Sequence, residues 1–143
     1  MTQQELYAFL DEELVMTCAT IGPSGRPHLM PLWFVRSGPV LRSWTFAKSQ
    51  KAKNLERDPR ATLQIESGTE YHELRGAMLE CDVRIEREVE LVEVYGTDLV
   101  DRYAGGSEEA KQAFRSQAPK RIGMTFEPTR IVTWDHRKLG GVY

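Results

Sequence analysis

The sequence predicts a mainly β fold of the α+β class, an antiparallel barrel of six or seven strands with short flanking helices. Six or seven short runs have the alternating or β-branched pattern of strands, and tight turns join most of them. Three or four helical segments lie between these runs without the strict strand–helix alternation of a doubly wound sheet. The length of 143 residues suits one domain, so we expect residues 1–143 to form a single unit.

The composition predicts a folded protein of the cytoplasm. Hydrophobic residues make up 41% and charged residues 28%, which excludes a disordered chain. No apolar run reaches the ~18 residues of a membrane span, and the acidic start does not have the pattern of a secretory signal. A net charge of −2 argues against nucleic acid or a membrane as partner. The scattered cysteines and histidines predict no metal site.

The first residues predict a helix followed by a strand hairpin. Thr2 and Glu5 have the spacing of a capping box. Alternation over 14–21 predicts the first strand, and the turn 22–25 leads to a return strand over 27–36. The return strand is apolar on both faces, so one face requires a cover from outside the chain. We therefore expect a partner subunit to cover that face.

The middle of the chain predicts three further strands and a short helix. After a turn at 37–39, the run 40–46 predicts a third strand that completes an antiparallel meander. The segment 48–60 contains good helix formers and ends at an Asp-Pro stop, which predicts a surface helix. Alternation over 61–66 and 77–85 predicts two more strands, each with one wet face.

The last third of the chain predicts two helices and two strands. Helical periodicity runs over 90–103, and Ser107 can cap a second helix that extends to about Gln117. Alternation over 122–126 and then over 130–134 predicts the sixth and seventh strands, with a turn at Glu127-Pro128 between them.

Positive charge is concentrated in one window, 42–60, which contains six basic and two acidic residues. The start of the predicted helix lies in this window, where unpaired backbone N–H groups and the helix dipole favour an anion. Trp33 and Trp44, on strands predicted to be adjacent, would supply flat apolar area near the same end of the sheet. A phosphate site beside an aromatic wall suits a nucleotide-like cofactor.

The same window resembles a known family. The segment from Ser49 to Ala61, with its Lys-x-x-Asn-Leu-x-x-Asp-Pro-Arg core, resembles the phosphate-binding segment of the split β-barrel flavoproteins related to pyridoxamine 5′-phosphate oxidase. The hairpin PSGRPHLMPLWFV is similar to the first two strands of that family, and TWDHRKLGG to its closing strand and tail. Within the family, the pattern most resembles the reductases of actinobacteria that use the deazaflavin coenzyme F420.

The resemblance implies a homodimer, with the cofactor in a groove between the two barrels at the subunit interface. Gln50 departs from the family pattern, in which many relatives hold an arginine. The phosphate contacts implied by the resemblance are Ser49, Lys51, Lys53 and Asn54. The implied ring contacts are Leu32, Trp33, Trp44 and Thr45.

The resemblance also implies an activity. A reduced deazaflavin would exchange hydride with a small electrophilic organic substrate such as an activated alkene, imine or quinone. Two alternatives stay open: an FMN-binding oxidoreductase of the same fold, and a non-catalytic cofactor- or haem-binding protein. The substrate-gripping residues of true pyridoxamine 5′-phosphate oxidases have no match here, so we do not expect vitamin B6 oxidation. No catalytic residue is assigned; water, His136 and Tyr143 are the candidate proton donors.

Overall fold

A computed structural model describes residues 1–141 as one seven-stranded antiparallel sheet with four α-helices. This confirms the predicted mainly β barrel with flanking helices. The strands are β1 (Met16–Ile21), β2 (Pro27–Leu32), β3 (Val35–Ser37), β4 (Val40–Phe46), β5 (Arg60–Ser67), β6 (Arg75–Glu86) and β7 (Arg121–Asp135). The helices are α1 (Gln3–Glu12), α2 (Gln50–Arg57), α3 (Val89–Tyr103) and α4 (Glu108–Gln117). Short 3-10 turns lie at Tyr71–Glu73, Ala118–Lys120 and His136–Leu139.

The sheet has the order β2-β1-β5-β6-β7-β4-β3 and is curled into a half-barrel. Strands that follow one another in the chain are not always neighbours in the sheet, since β2 and β3 lie at opposite edges. The link between them, Trp33–Phe34, therefore crosses the open side of the curl. A hydrogen bond of 2.6 Å from the Ser43 hydroxyl to the carbonyl of Trp33 attaches this link to β4.

The predicted meander is wrong at this link. The run 27–36 is two strands rather than one, and β4 pairs with β3 and β7 instead of β2. The strand breaks at Phe34, which is fully buried and whose backbone N–H donates to the hydroxyl of Tyr103 at 3.0 Å. A side chain thus satisfies the backbone group that a neighbouring strand would otherwise satisfy.

At the C-terminal end, two predicted strands form a single strand in the structure. The two runs 122–126 and 130–134 are parts of the single strand β7, which continues through Pro128. The register with β6 shifts there, so that Cys81 faces Pro128 and Glu80 faces Arg130. A β-bulge accommodates one extra residue and a proline without ending the strand.

The predicted helix caps are confirmed. The hydroxyl of Thr2 accepts from the N–H of Glu5, and the Glu5 carboxylate accepts from the N–H of Thr2. The Ser107 hydroxyl accepts from the N–H of Ala110 at the start of α4. Within residues 1–141, none of the helices has the length and apolar character that crossing a membrane requires.

Two apolar cores hold the elements together, one on each face of β4. The larger core fills the curl of the sheet and includes α1, α2 and the buried face of every strand except β2 and β3. The smaller core lies between β4 and helices α3 and α4. Its buried members are Trp44, Val92, Tyr95, Leu99 and Ala118. Because neighbouring strand residues face opposite sides, Trp44 enters the smaller core while Ser43 and Thr45 face the curl.

The contact between α3 and Trp44 gives a test of this packing. A methyl group at Gly96 would lie 2.5 Å from Cζ3 of Trp44, with no room between the helix and the ring. We expect Gly96→Ala to lower the free energy of unfolding by about 1–2 kcal/mol, since overpacking costs more than the helix propensity of alanine returns. Urea unfolding measures this change. Glu90→Ala, on the exposed side of α3, is the control and should change little; equal or greater stability of Gly96→Ala would contradict the packing.

Candidate functional site

Helix α2 begins at the end of β4 and spans the open side of the curl. The Ser49 hydroxyl caps the helix by accepting from the N–H of Ala52 at 3.1 Å. Ala52 and Leu55 are buried in the larger core and fix the helix against β1 and β4. The helix ends at Asp58, before Pro59, because a proline disfavours helical backbone at the residue preceding it. These constraints direct the helix N-terminus to the rim beside Thr45.

The ammonium group of Lys51 is buried at this N-terminus. Lys51 is only 6% exposed, and its Nζ donates to the hydroxyl of Thr45 at 3.2 Å. That hydroxyl lies 3.4 Å from the hydroxyl of Ser49. In the part of the chain that the structure describes, no carboxylate lies within 4 Å of the Lys51 ammonium. The structure therefore brings three of the predicted residues, Thr45, Ser49 and Lys51, into one cluster.

The electrostatics of this cluster favour an anion. Burial lowers the pKa of Lys51, and the positive charge of Arg121 lowers it further. Burial raises the pKa of the Cys18 thiol to about 12, so the thiol is neutral at pH 7 and provides no counter-charge. A buried cation next to the positive end of a helix dipole is stabilised by a bound anion. Two hydroxyl groups add hydrogen-bond donors.

Asn54 and Lys53 have different positions. Asn54 is fully buried; its amide donates to the Thr20 hydroxyl at 3.0 Å and accepts from Gln50 at 2.8 Å. The bond to Thr20 attaches α2 to β1, so Asn54 positions the helix. Lys53 is exposed on the outer side of α2. Both residues stay predicted phosphate contacts.

Trp33 forms a flat surface at the link between the edge strands. The residue is 48% exposed, and its ring stacks on Tyr103 with 4.4 Å between the ring centroids and an angle of 4°. The next residue, Phe34, is held at its carbonyl by Tyr103 and by the guanidinium of Arg102. Leu32, just before the link, is half-buried against the larger core. The exposed indole is therefore held in a fixed orientation.

Trp44 does not share a surface with Trp33. The residue is 6% exposed, and its indole stacks on Phe114 of α4 at 5.2 Å between the ring centroids. The expected aromatic wall of two indoles is absent, because β4 presents Trp44 to the smaller core and Thr45 to the curl. Contact of Trp44 with a cofactor ring stays a prediction. Because the side chain is buried, such a contact would involve the backbone atoms of Trp44.

Two residues near the site were not found by sequence reasoning. Arg121 starts β7 opposite Phe46, and its guanidinium lies 3.9 Å from the centre of the Phe46 ring. In the sequence, Arg121 is marked only by its place in the Lys120-Arg121 pair before a predicted strand. The pairing of that strand with β4 joins segments that are far apart in the sequence, so no local pattern predicts it. Tyr103, which supports Trp33, is the last residue of the predicted helix, where an aromatic residue has the same pattern as an ordinary core residue. Neither is distinguishable by spacing.

The two candidate proton donors in the tail do not join the cluster within the described chain. His136 follows the far end of β7 from Arg121, and its Nδ1 lies 2.9 Å from the carbonyl of Tyr71. Tyr143 lies outside the described residues. The cluster of Thr45, Ser49 and Lys51 thus contains no assigned proton donor.

Comparison with solved structures shows the same fold in several proteins. A conserved hypothetical protein from Mycobacterium tuberculosis is 38% identical, with a TM-score of 0.92 over 100% of this chain and 90% of that one. An F420 reductase is 24% identical, with a TM-score of 0.72 over 87% and 94% of the two chains. A haem storage protein from Vibrio cholerae is 17% identical, with a TM-score of 0.73 over 91% and 92%. The last two likenesses concern the fold alone.

Sequence comparison identifies the family. A search of curated proteins gives no match. A family model described as pyridoxamine 5′-phosphate oxidase matches residues 2–135, nearly the whole chain. Together with the half-barrel sheet, this match confirms the resemblance drawn from the hairpin and the Ser49–Ala61 segment. The chain belongs to the pyridoxamine 5′-phosphate oxidase family of split β-barrel proteins.

Proposed function

We propose that the protein is an oxidoreductase that transfers hydride between coenzyme F420 and a small electrophilic organic substrate such as an activated alkene, imine or quinone. The observation that carries the proposal is the buried Lys51 ammonium, which lies at the N-terminus of α2 and has no carboxylate within 4 Å among residues 1–141. Membership of the family makes a flavin or deazaflavin the expected cofactor class.

The residues at the rim fit the phosphate of such a cofactor. The first N–H groups of a helix lack intrahelical partners, and in α2 only the N–H of Ala52 is capped by Ser49. The Lys51 ammonium uses one of its three donors on Thr45 and has two left for phosphate oxygens. Lys53 adds a second positive charge on the exposed side of the helix. Charge-assisted hydrogen bonds of this kind are the strong ones.

The link between β2 and β3 suits the ring of the cofactor. Trp33 offers a flat face held by Tyr103, and the Ser43 hydroxyl fixes its carbonyl. A bound reduced deazaflavin supplies the hydride; the protein binds it, orients the acceptor and excludes water. The final proton comes from water or from a tail residue.

We further propose a homodimer with the cofactor at the subunit interface. The edge strand β2 leaves Leu29 57% exposed and Met30 exposed beside it, and β2 has one strand neighbour within residues 1–141. A second subunit would cover these apolar side chains. Sedimentation at a mass other than twice 16.4 kDa would contradict this assembly.

Cofactor uptake and cofactor oxidation distinguish two other functions from the proposed one. An FMN oxidoreductase would take up FMN and leave F420 fluorescence unchanged. The haem storage protein from Vibrio cholerae shares the fold, which makes a non-catalytic binding role the second alternative. In that case the bound coenzyme would not be oxidised by any member of a panel of enones, imines and quinones.

The central test is uptake of F420 by the purified protein, followed as quenching of coenzyme fluorescence. Removing two cations with Lys51→Ala and Lys53→Ala should weaken uptake by about 2–4 kcal/mol, because each charge-assisted contact contributes ~1.5–3 kcal/mol less some compensation. The matched control, Arg84→Ala with Arg115→Ala, removes the same charge from β6 and α4 and should leave affinity unchanged. Unchanged affinity of the lysine pair would reject the site.

Lys51 should also destabilise the protein when no ligand is bound. Its pKa in the folded chain lies below the usual 10.5, so between these two values the unfolded chain binds more protons and the free energy of unfolding rises with pH. We expect Lys51→Met to stabilise the free protein at pH 7 by about 1–2 kcal/mol, since it removes a buried charge that has no counter-charge. This advantage should shrink as the pH approaches 10.5.

Urea unfolding at about pH 7 and about pH 10 measures the effect. Lys53→Met is the control, because Lys53 is exposed and its charge remains hydrated. If the Lys51→Met variant is less stable than the parent at neutral pH, the ammonium supports the fold rather than a ligand.

A further inference from the structure

The rim at the N-terminus of α2 holds a second cation without a counter-charge, the guanidinium of Arg121. Arg121 is the first residue of β7 and lies opposite Phe46, the last residue of β4. Its Nε and Nη2 both donate to the side-chain oxygen of Gln117, at 3.2 and 2.8 Å. No carboxylate of residues 1–141 lies within 4 Å of this guanidinium, and burial lowers its pKa. Arginine stays protonated all the same, so the charge is kept although it is partly removed from water.

Two aromatic rings fix the plane of the Arg121 guanidinium. Its central carbon lies 3.9 Å from the centre of the Phe46 ring and 4.6 Å from that of the Trp44 ring. Because Gln117 accepts from only two of its N–H groups, the remaining N–H groups of the terminal nitrogens have no partner in the described chain. A guanidinium fork held in one plane matches the two oxygens of a carboxylate.

The Arg121 side chain lies on the opposite face of β4 from the Lys51 cluster. Neighbouring residues of a strand face opposite sides, so Thr45 meets the Lys51 ammonium in the curl. Phe46 and Arg121, which lie opposite each other, are on the side of the smaller core, where both stand beside Trp44. A group bound at Arg121 is therefore separate from a phosphate bound at Lys51.

The surface beside this guanidinium is both apolar and positive. Phe46 is 51% exposed, so its ring offers a flat apolar face to a ligand. The two segments that meet here, 44–49 and 117–122, contain three basic residues and no acidic one. Phe46 also follows directly on Trp44 and Thr45, the two residues of β4 that the family resemblance makes ring contacts. An acidic molecule anchored here would lie next to the proposed position of the cofactor ring.

We propose that Arg121 binds a carboxylate of the electrophilic substrate and that Phe46 supports the flat, conjugated part of the same molecule. This inference rests on the proposed function and narrows its substrate class to acids, namely enones, imines or quinones that carry a carboxylate. The fork of Arg121 binds both carboxylate oxygens, and a carboxylate neutralises a charge that the folded chain leaves without a partner. Arg121 touches no reacting atom, so it determines specificity and takes no part in hydride transfer.

The experiment uses calorimetry to measure how the full chain loaded with oxidised F420 binds a matched pair of enones, para-carboxybenzalacetone and its methyl ester. We expect the parent to bind the acid about tenfold more tightly than the ester, as for one charge-assisted contact at a partly exposed site. Arg121→Gln keeps a planar group but removes the charge, and it should bind acid and ester within about twofold of each other. Arg121→Lys, which keeps the charge without the fork, should restore part of the preference. Arg115→Gln, exposed on α4, removes the same charge and should keep the full preference.

The Kd values for F420 and for the two enones separate the possible results. A parent protein that takes up F420 but binds acid and ester equally, or does not bind the acid, would overturn the inference and leave the proposed function standing. An acid preference that survives in Arg121→Gln would overturn it, because another cation would then bind the carboxylate. A Kd for F420 that rises more than about threefold in Arg121→Gln would make Arg121 a cofactor contact and overturn it as well. If the parent takes up no F420, the proposed function fails, and the acid preference of the free chain decides the Arg121 site by itself.

Discussion

The hydrogen bond between the Lys51 ammonium and the Thr45 hydroxyl is the contact on which the site depends. It joins a short helix to the end of a strand and holds a positive charge away from water. No carboxylate of the described residues neutralises that charge. A protein accepts such a cost where function requires it, since a buried charge without a partner is destabilising. The position of this single cation therefore links the fold to the binding of an anionic ligand.

The curl of the sheet makes this position possible. Strands β1 and β4 are separated by three strands in the sheet, yet α2 packs against both. Asn54 anchors the helix to β1, and Thr45 meets its N-terminus from β4. On the remaining side, the link carrying Trp33 closes the curl and is held by the hydroxyl of Tyr103. The phosphate cluster and the flat indole surface both lie on this open side.

The sequence predicted the local features and missed the non-local ones. Local strand patterns located β1, β4, β5 and β6, and the run of helix formers with its Asp-Pro stop located α2, because each signal involves neighbouring residues. The pairing of β4 with β7 brings Arg121 to the rim, and no local pattern encodes that pairing. The break at Phe34 depends on Tyr103, which is 69 residues away in the chain.

The candidate site was predictable to a similar degree. The Ser49–Ala61 segment indicated a phosphate site through its resemblance to a family, and the structure brings Ser49 and Lys51 together with Thr45. Alternation within β4 already implies that Trp44 and Thr45 face opposite sides. Which side carries the second core depends on where α3 and α4 pack, and amphipathic helices alone do not specify this.

A crystal structure of the protein with bound F420 tests the central claim most directly. We expect a phosphate oxygen within hydrogen-bond distance of Lys51 Nζ and of the Ser49 hydroxyl, with the ring on the side of Trp33. A coenzyme whose phosphate lies elsewhere, while Lys51 keeps Thr45 as its only partner, would contradict this claim.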